Sequence, residues 1–268
     1  MYYFVGGYPR TGTTLVAELL CGDPRTNPPL SEVSYLEYLM IPYDMFIHGW
    51  EANHGGLFDD EDEFWEFHRN YIEQFLEHLR VKHKCQRLVV KRPLLSRWFP
   101  SLAQMFPESR YIICLRDPRD VIGSLKTVQA RHRMLDAETQ GVNPFLDQSI
   151  TDLAYGYAYG ILEARRGAKE FPDRFHFVLY EDLVRNPDES IEQLGKALDL
   201  DLSLNEEHWK LYKDYKGNNP FHSTSWGGEI TTRNIGKYRT QLDSDEVKMV
   251  ETVCHLIMEA FGYDKSSG

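Results

Sequence analysis

The stretch FVGGYPRTGTTLVAELL, residues 4–20, decides the fold. It passes from an apolar, β-rich segment through a glycine-bounded loop into a segment with Leu15, Leu19 and Leu20 on one helix face. A loop that leaves a strand and enters a helix presents backbone N–H groups at the helix N-terminus, where the macrodipole also favours an anion. Gly7 and Gly12 allow the tight path, and Thr13 and Thr14 add hydroxyl donors. The spacing is that of a phosphate-binding loop, G-x-x-x-x-G followed by two hydroxyl residues. However, Thr13 stands where a nucleoside triphosphatase has the lysine that reaches the β and γ phosphates. The cation sits earlier, as Arg10. That displacement predicts an anionic ligand steadied by a loop arginine, with no mandatory metal. The plainer reading is a Gly/Thr-rich turn that merely starts a helix.

Three further apolar runs, RLVVKRP, RYIICLRDP and FHFVLYEDL (175–183), read as buried parallel strands, each followed by a segment of helical periodicity. Alternation of strand and helix predicts an α/β fold with a P-loop-like, doubly wound sheet, mainly of parallel strands flanked by helices. Helices are expected over 62–80, with Phe64, Phe67, Tyr71, Phe75 and Leu79 along one stripe, and from Ser149 as N-cap, with Tyr155, Tyr159 and Leu162 at helical spacing. Another is expected from Ser244 as cap, with Val247, Val250, Val253, Cys254 and Ile257 facing inward. Less regular connections are expected over 40–62, 126–148 and 216–236. No internal repeat is visible, and the 268 residues are read as one domain, 1–268.

A formal net charge of -11 argues against a nucleic-acid partner bound through a broad basic surface, so an anionic ligand must meet a local basic pocket. The four cysteines, Cys21, Cys85, Cys114 and Cys254, lack disulfide or zinc spacing and read as reduced, buried thiols. The chain opens on a strand-like run with no signal-peptide pattern, and it contains no apolar segment long enough to span a bilayer. The expectation is a cytoplasmic protein without membrane insertion. The abrupt start equally fits a catalytic domain of a longer chain.

A second set of anion ligands is offered by YIICLRDPRDVIGSL, residues 111–125. Arg116 emerges at the carboxyl end of a strand, where open α/β sheets place ligands, and Ser124 lies about two helical turns on. The bland alternative is a surface pair of Arg116 with Asp120, worth little. YPRTGTTL, RDPRDVIGSL, YEDL and NIGKYR follow one another in the order seen in sulfotransferases that use 3′-phosphoadenosine 5′-phosphosulfate (PAPS), and on these motifs the chain resembles that family over nearly its whole length.

The resemblance implies that Arg10, Thr11, Gly12, Thr13, Thr14 and Leu15 hold the 5′-phosphosulfate, and that Arg116 and Ser124 hold the 3′-phosphate. It further implies that Tyr180 lies beside the adenine, and that Gly236, Lys237 and Arg239 close over the cofactor, with Ser225 a weaker candidate. The cofactor is then PAPS, the product 3′-phosphoadenosine 5′-phosphate (PAP), and no metal is assigned. Arg10 and Lys91 are the candidate cations for the developing charge, with Arg92 a rival for the latter role. The cytosolic aryl and steroid branch has a histidine two residues after that lysine, but Pro93 stands here. The chain is more similar to the branch that includes tyrosylprotein and bacterial sulfotransferases, in which a glutamate acts as base, and the matching position is Glu32.

A carboxylate serves as base if burial raises its pKa or if it acts late, once the hydroxyl proton acidifies. Glu37 competes for the role, and His48, His54 and His222 are distal alternatives. Tyr35, Tyr38, Trp50 and the acidic run FDDEDEFWEF are expected to flank the acceptor cleft. The acceptor partner is a hydroxyl on a small metabolite, lipid, sugar or carrier-bound acyl chain, with a peptide tyrosine less favoured; the oligomeric state is not specified. Two other classes stay open: a magnesium-ATP kinase, against which Thr13 speaks, and a nucleotide-binding domain without catalysis.

Overall fold

The computed structural model describes residues 1–53, 55–134, 147–203 and 230–265. The four apolar runs form the strands β1 (Tyr2–Gly6), β2 (Leu88–Lys91), β3 (Arg110–Leu115) and β4 (Phe175–Leu179), all parallel, in the order β2-β1-β3-β4. Successive side chains leave a strand on opposite faces, so Tyr2 and Phe4 enter one apolar cluster while Tyr3 and Val5 enter another. The expected P-loop-like α/β class is thus the observed one. An aromatic stack pins β1, β3 and β4 together on the first face: Phe4 lies 5.2 Å from Tyr111, and Tyr111 lies 4.9 Å from Phe175. Such ring pairs add roughly 0.5–1.5 kcal/mol each beyond the area they bury.

The second face is covered by α1 (Thr13–Leu20), through Val16, Leu19 and Leu20. Over the first face lie α2 (Ser34–His48), with the short α3 (Trp50–Asn53) after it, then α4 (Glu61–Lys82), α5 (Phe99–Met105), α6 (Pro118–Arg133) and α7 (Ile150–Glu170). A 3-10 turn, Pro93–Trp98, joins β2 to α5. Two more helices, α8 (Tyr180–Arg185) and α9 (Pro187–Leu198), return to the second face through Leu183, Ile191 and Leu194. The helices Ser244–Val253 and His255–Phe261 follow near the C-terminal end, breaking at Cys254.

Several expectations are corrected. In α4 the buried stripe is Phe64, His68, Ile72 and Leu76, whereas Phe67 and Tyr71 are exposed. In α7, Tyr155 and Tyr159 face outward while Leu153, Tyr157 and Ile161 are buried. Aromatic spacing alone misassigned both faces, because exposed tyrosines share the helical period with the core. Ser149 caps α7 as expected, in a capping box with Asp152. The cap of the helix after residue 243 is Asp243, not Ser244, since its carboxylate accepts from the Asp245 and Glu246 N–H groups. Most of the presumed irregular 40–62 is helical, because α2 runs through Pro42 to His48, α3 follows and α4 begins at Glu61; the presumed irregular 126–148 likewise begins inside α6, which runs to Arg133.

Candidate active site

The loop after β1 is held by its own hydrogen bonds. Thr11 N–H and Oγ1 both donate to the Tyr8 carbonyl, at 3.2 and 2.8 Å, and Tyr8 N–H donates to Thr11 Oγ1 at 3.3 Å. Thr11 is buried and faces into the loop, so its contribution to the site is the loop's shape. Ser96 Oγ donates to the Gly7 carbonyl at 2.7 Å, tying the loop to the 3-10 turn after β2. At Gly7, φ is +146° and a Cβ would lie 2.5 Å from the Cys114 carbonyl oxygen; at Gly12, φ is +95° and a Cβ would lie 2.9 Å from the Tyr180 ring. Only glycine fits either position. Arg10, at φ 77°, takes a left-handed conformation that side chains ordinarily avoid.

Gly12 caps α1 without a side-chain acceptor, and the first bond into the helix runs from Val16 N–H to the Gly12 carbonyl at 3.1 Å. The first-turn N–H groups, from Thr13 to Leu15, therefore have no intrahelical partner and face the loop. The Thr13 side chain is buried, whereas Thr14 and Leu15 are half-buried, with Leu15 packed on the second apolar cluster.

Arginines from two motifs meet beside this loop. Arg10 Nε donates to Ser124 Oγ at 3.0 Å, so the loop's cation reaches toward the second motif. Arg116 Nη1 donates to the Arg10 carbonyl at 3.1 Å and Nη2 to the Asn234 carbonyl at 2.6 Å. Its guanidinium lies 4.8 Å from the Tyr180 ring centroid, and its Nε is buried with no hydrogen-bond partner among the described residues. Burial, then the like charges of Arg116 and Arg131, pull the Arg10 guanidinium down to about 10. Three cations this close mark a place of strong positive potential, which an anion would relieve.

Asp120 is fully buried, which overturns its reading as half of a surface pair. Its carboxylate accepts from Gly236 N–H at 2.7 Å and Tyr238 N–H at 2.8 Å and lies 3.8 Å from Arg116 Nη2. Arg116, just after β3, and Asp120, in the first turn of α6, thus grip the NIGKYR segment together. Gly236, at φ 72°, is part of this dock, while Lys237 and Arg239 are exposed beside it. Arg131 was missed from sequence; Asp120 was read there only as a surface partner of Arg116, and its grip on the NIGKYR backbone was not foreseen. Ser225, His54 and His222 lie outside the described residues. His48 bonds the Asp44 carbonyl at 2.8 Å on the exposed end of α2.

A second cluster stands at the carboxyl end of β2. Lys91, nearly buried, donates to Glu32 Oε1 at 3.0 Å, and Arg92 Nη1 reaches Glu32 Oε2 at 2.5 Å. Arg92 Nε also donates to Glu37. The Val33 N–H donates to the Lys91 carbonyl at 3.0 Å, which fixes the backbone beside Glu32. Burial pulls the Glu32 carboxyl up, but the charge and hydrogen bond of Lys91, followed by those of Arg92, outweigh it and hold it below the ordinary carboxylate range. Of the residues expected to flank an acceptor cleft, Tyr35 bonds the Tyr71 hydroxyl at 2.9 Å, Tyr38 is exposed, and Trp50 packs on Phe46. The start of the acidic run turns at the head of α4, where Asp60 accepts from the Glu63 N–H at 2.8 Å.

A parallel sheet with a glycine-bounded loop after its first strand, and with cations and a carboxylate at the carboxyl ends of its neighbours, is the arrangement in which open α/β folds place an anionic ligand. Residues 3–204 match the family model described as "Sulfotransferase family", and the chain belongs to that family as a sulfotransferase enzyme. A Caenorhabditis briggsae protein named "Putative protein-tyrosine sulfotransferase" is 25% identical over 280 residues, spanning 98% of this chain and 89% of its own. The sulfotransferase domain from the Synechococcus PCC 7002 olefin synthase has the same fold, with a TM-score of 0.58 at 20% identity over 98% of this chain and 94% of that one. Mouse sulfotransferase SULT7A1, solved in complex with PAP, aligns with a TM-score of 0.51 at 15% identity over 96% of this chain and 84% of that one. Among the described residues no helix is long and apolar enough to cross a membrane.

Proposed function

We propose that this sulfotransferase takes its sulfuryl group from PAPS and delivers it to an acceptor hydroxyl, with Glu32 as base. The observation that carries the donor reading is Arg116: a nearly buried guanidinium whose Nη1 holds the phosphate loop and whose Nε is left without a partner among the described residues. A donor phosphorylated at both ends suits two linked anion sites, the first turn of α1 and the cluster of Arg10, Arg116 and Ser124, better than a triphosphate does. PAP bound to a mouse relative of the same fold supports this reading.

PAPS, when bound, supplies an activated sulfuryl group whose bond to the 5′-phosphate oxygen breaks as the acceptor oxygen bonds to sulfur. The α1 N–H groups, from Thr13 to Leu15, bind the 5′ end, with Thr14 and Leu15 at the mouth of the turn. Arg116 and Ser124 bind the 3′ end, and Arg10, joined to Ser124, belongs with the loop that holds the 5′ end, where its charge faces the group that departs. Tyr180, between Gly12 and Arg116, gives the adenine a flat wall. Gly236, Lys237 and Arg239 flank the same pocket. Lys91 Nζ stabilises charge on the transferred group. Glu32 receives the acceptor proton. Held below the ordinary range, its carboxylate is a weak base at rest, so it takes the proton late, after the hydroxyl has acidified. The acceptor is a neutral or weakly charged alcohol or phenol, drawn from small metabolites, lipids, sugars, carrier-bound acyl chains and, given the nematode relative's name, peptide tyrosine. Residues 1–268 act as one domain.

Calorimetric titration with PAP, beside ATP with magnesium, tests the donor. Metal-independent binding of PAP in preference to ATP is expected, and preference for magnesium-ATP restores the kinase reading. Labelled PAPS with a tyrosine peptide, a hydroxyacyl-carrier protein and simple alcohols then sorts the acceptor, and binding without turnover on any of them favours a catalytically silent domain. Glu32→Gln should lower turnover roughly 100- to 10,000-fold with PAP affinity nearly intact.

A further inference from the structure

Two acids and two guanidinium groups form a chain running inward from Glu32. Lys91 and Arg92 take one Glu32 oxygen each; behind them Arg92 Nε donates to Glu37, and Arg97 Nη2 stands 3.9 Å from the other Glu37 oxygen. Side-chain exposure falls along it, from 40% at Glu32 to 17% at Arg92 and 6% at Glu37. Glu37 is therefore poorly placed as a base, since it is buried and guanidinium groups face both its oxygens. Its buried charge is instead a fixed anchor for Arg92. A guanidinium is a rigid planar fork, so fixing Nε on Glu37 also fixes the direction in which Nη1 points. That direction is toward Glu32, whose segment precedes α2 in irregular backbone.

We infer that Arg92, anchored by Glu37, is the positioning residue that aims the Glu32 carboxylate at the acceptor hydroxyl. The inference rests on the reading of Glu32 as base. Arg92 holds one oxygen and restricts rotation of the group, and the remaining lone pairs of the Lys91-bound oxygen stay open to the proton. Lysine at 92 would supply charge without the fork. The groups facing Glu32 are Lys91 from β2 and Arg92 from the turn after it, with Glu37 on α2 and Arg97 on the 3-10 turn behind Arg92.

Removing Arg92 alone would leave the buried Glu37 charge facing only the more distant Arg97 among the described residues and would destabilise the fold, so the test uses the double variant Arg92→Met/Glu37→Gln, which removes both charges together, and Arg92→Lys. Carbon-13 NMR of labelled glutamate side chains follows the Glu32 carboxyl, assigned by its loss in Glu32→Gln, while kcat and KM for PAPS are measured against pH with a tyrosine peptide or the best acceptor of the screen. In the double variant the Glu32 titration should move up by about one pH unit, carrying the acidic limb of kcat with it. Its kcat should fall about 10- to 100-fold with KM for PAPS unchanged. Arg92→Lys should restore the titration position but not kcat. A double variant with wild-type titration, or an Arg92→Lys enzyme with wild-type kcat, overturns the inference; the titration decides even where turnover is too slow to measure. Full turnover in Glu32→Gln overturns the base reading and this inference with it. An inactive Glu32→Gln beside fully active Arg92 variants overturns only the inference.

Discussion

Arg10 and Ser124, 114 positions apart, are joined by a 3.0 Å hydrogen bond from guanidinium Nε to hydroxyl Oγ. The bond makes one structure of two motifs that a sequence presents as separate anion sites. Arg10→Met and Ser124→Ala should therefore be coupled by about 1 kcal/mol in PAP affinity. Calorimetry on both single variants and the double variant measures this, and strict additivity would assign the two residues to independent sites.

Arg116 faces the proposed 3′-phosphate, so its loss should be selective. Arg116→Ala is expected to weaken PAP binding roughly 10- to 100-fold while leaving adenosine 5′-phosphate affinity within a factor of about two. Equal losses for both nucleotides would mean that Arg116 only shapes the loop through the Arg10 carbonyl.

Lys91→Ala should reduce kcat on the order of 100- to 1000-fold, as expected for loss of a charge-stabilising donor, and Arg10→Ala should do so to a similar degree. The two differ in binding: Arg10→Ala also weakens PAP, because its side chain sits with Ser124, whereas Lys91→Ala leaves PAP affinity close to wild type. Single-turnover kinetics with labelled PAPS separates the steps.

Asp120 is the dock of the NIGKYR segment. Asp120→Ala strands the Gly236 and Tyr238 N–H groups and should lower stability by roughly 2–4 kcal/mol. Amide exchange at those two positions should accelerate before any global change. Unchanged exchange there would show that the segment is held by other contacts.

His68 predicts an acid-sensitive stability. It stacks 4.9 Å from Tyr43, its Nε2 has no partner among the described residues, and burial pulls its pKa down to about 4. The unfolded chain, with a histidine pKa of about 6.5, takes up the proton first. Stability from this residue is thus complete above about pH 6.5 and is lost as pH falls toward 4, by up to about 3 kcal/mol. His68→Phe should flatten that part of the denaturation profile; an unchanged slope between pH 6.5 and 4 would place the proton uptake elsewhere.

The strands and the loop were legible because their signals are local. Apolar runs bounded by turns mark strands buried on both faces, and glycines at 7 and 12 mark a path that no side chain permits. The inward faces of α4 and α7 were not legible from aromatic spacing, since Phe67, Tyr71, Tyr155 and Tyr159 repeat at the same period as the core and yet are exposed. Thr11 shows the same limit at the site: it stands in the ligand motif, but its donors turn into the loop.

The sequence by itself determined the parallel sheet, the glycine-bounded loop and the displaced cation, because each depends on residue type at short spacing, and the family, through the order of four short motifs. Tertiary structure alone decided what the charged groups do. Sequence reads Glu32 as the base by its match and Glu37 as its competitor, and the fold brings both to Lys91 and Arg92, 55 to 60 positions away. There Glu32 stays partly exposed with a depressed pKa and Glu37 is buried against Arg92. The physical reason is that a carboxylate's role is set by desolvation and by the cations within a few ångströms, and both are supplied by chain segments far from it in sequence.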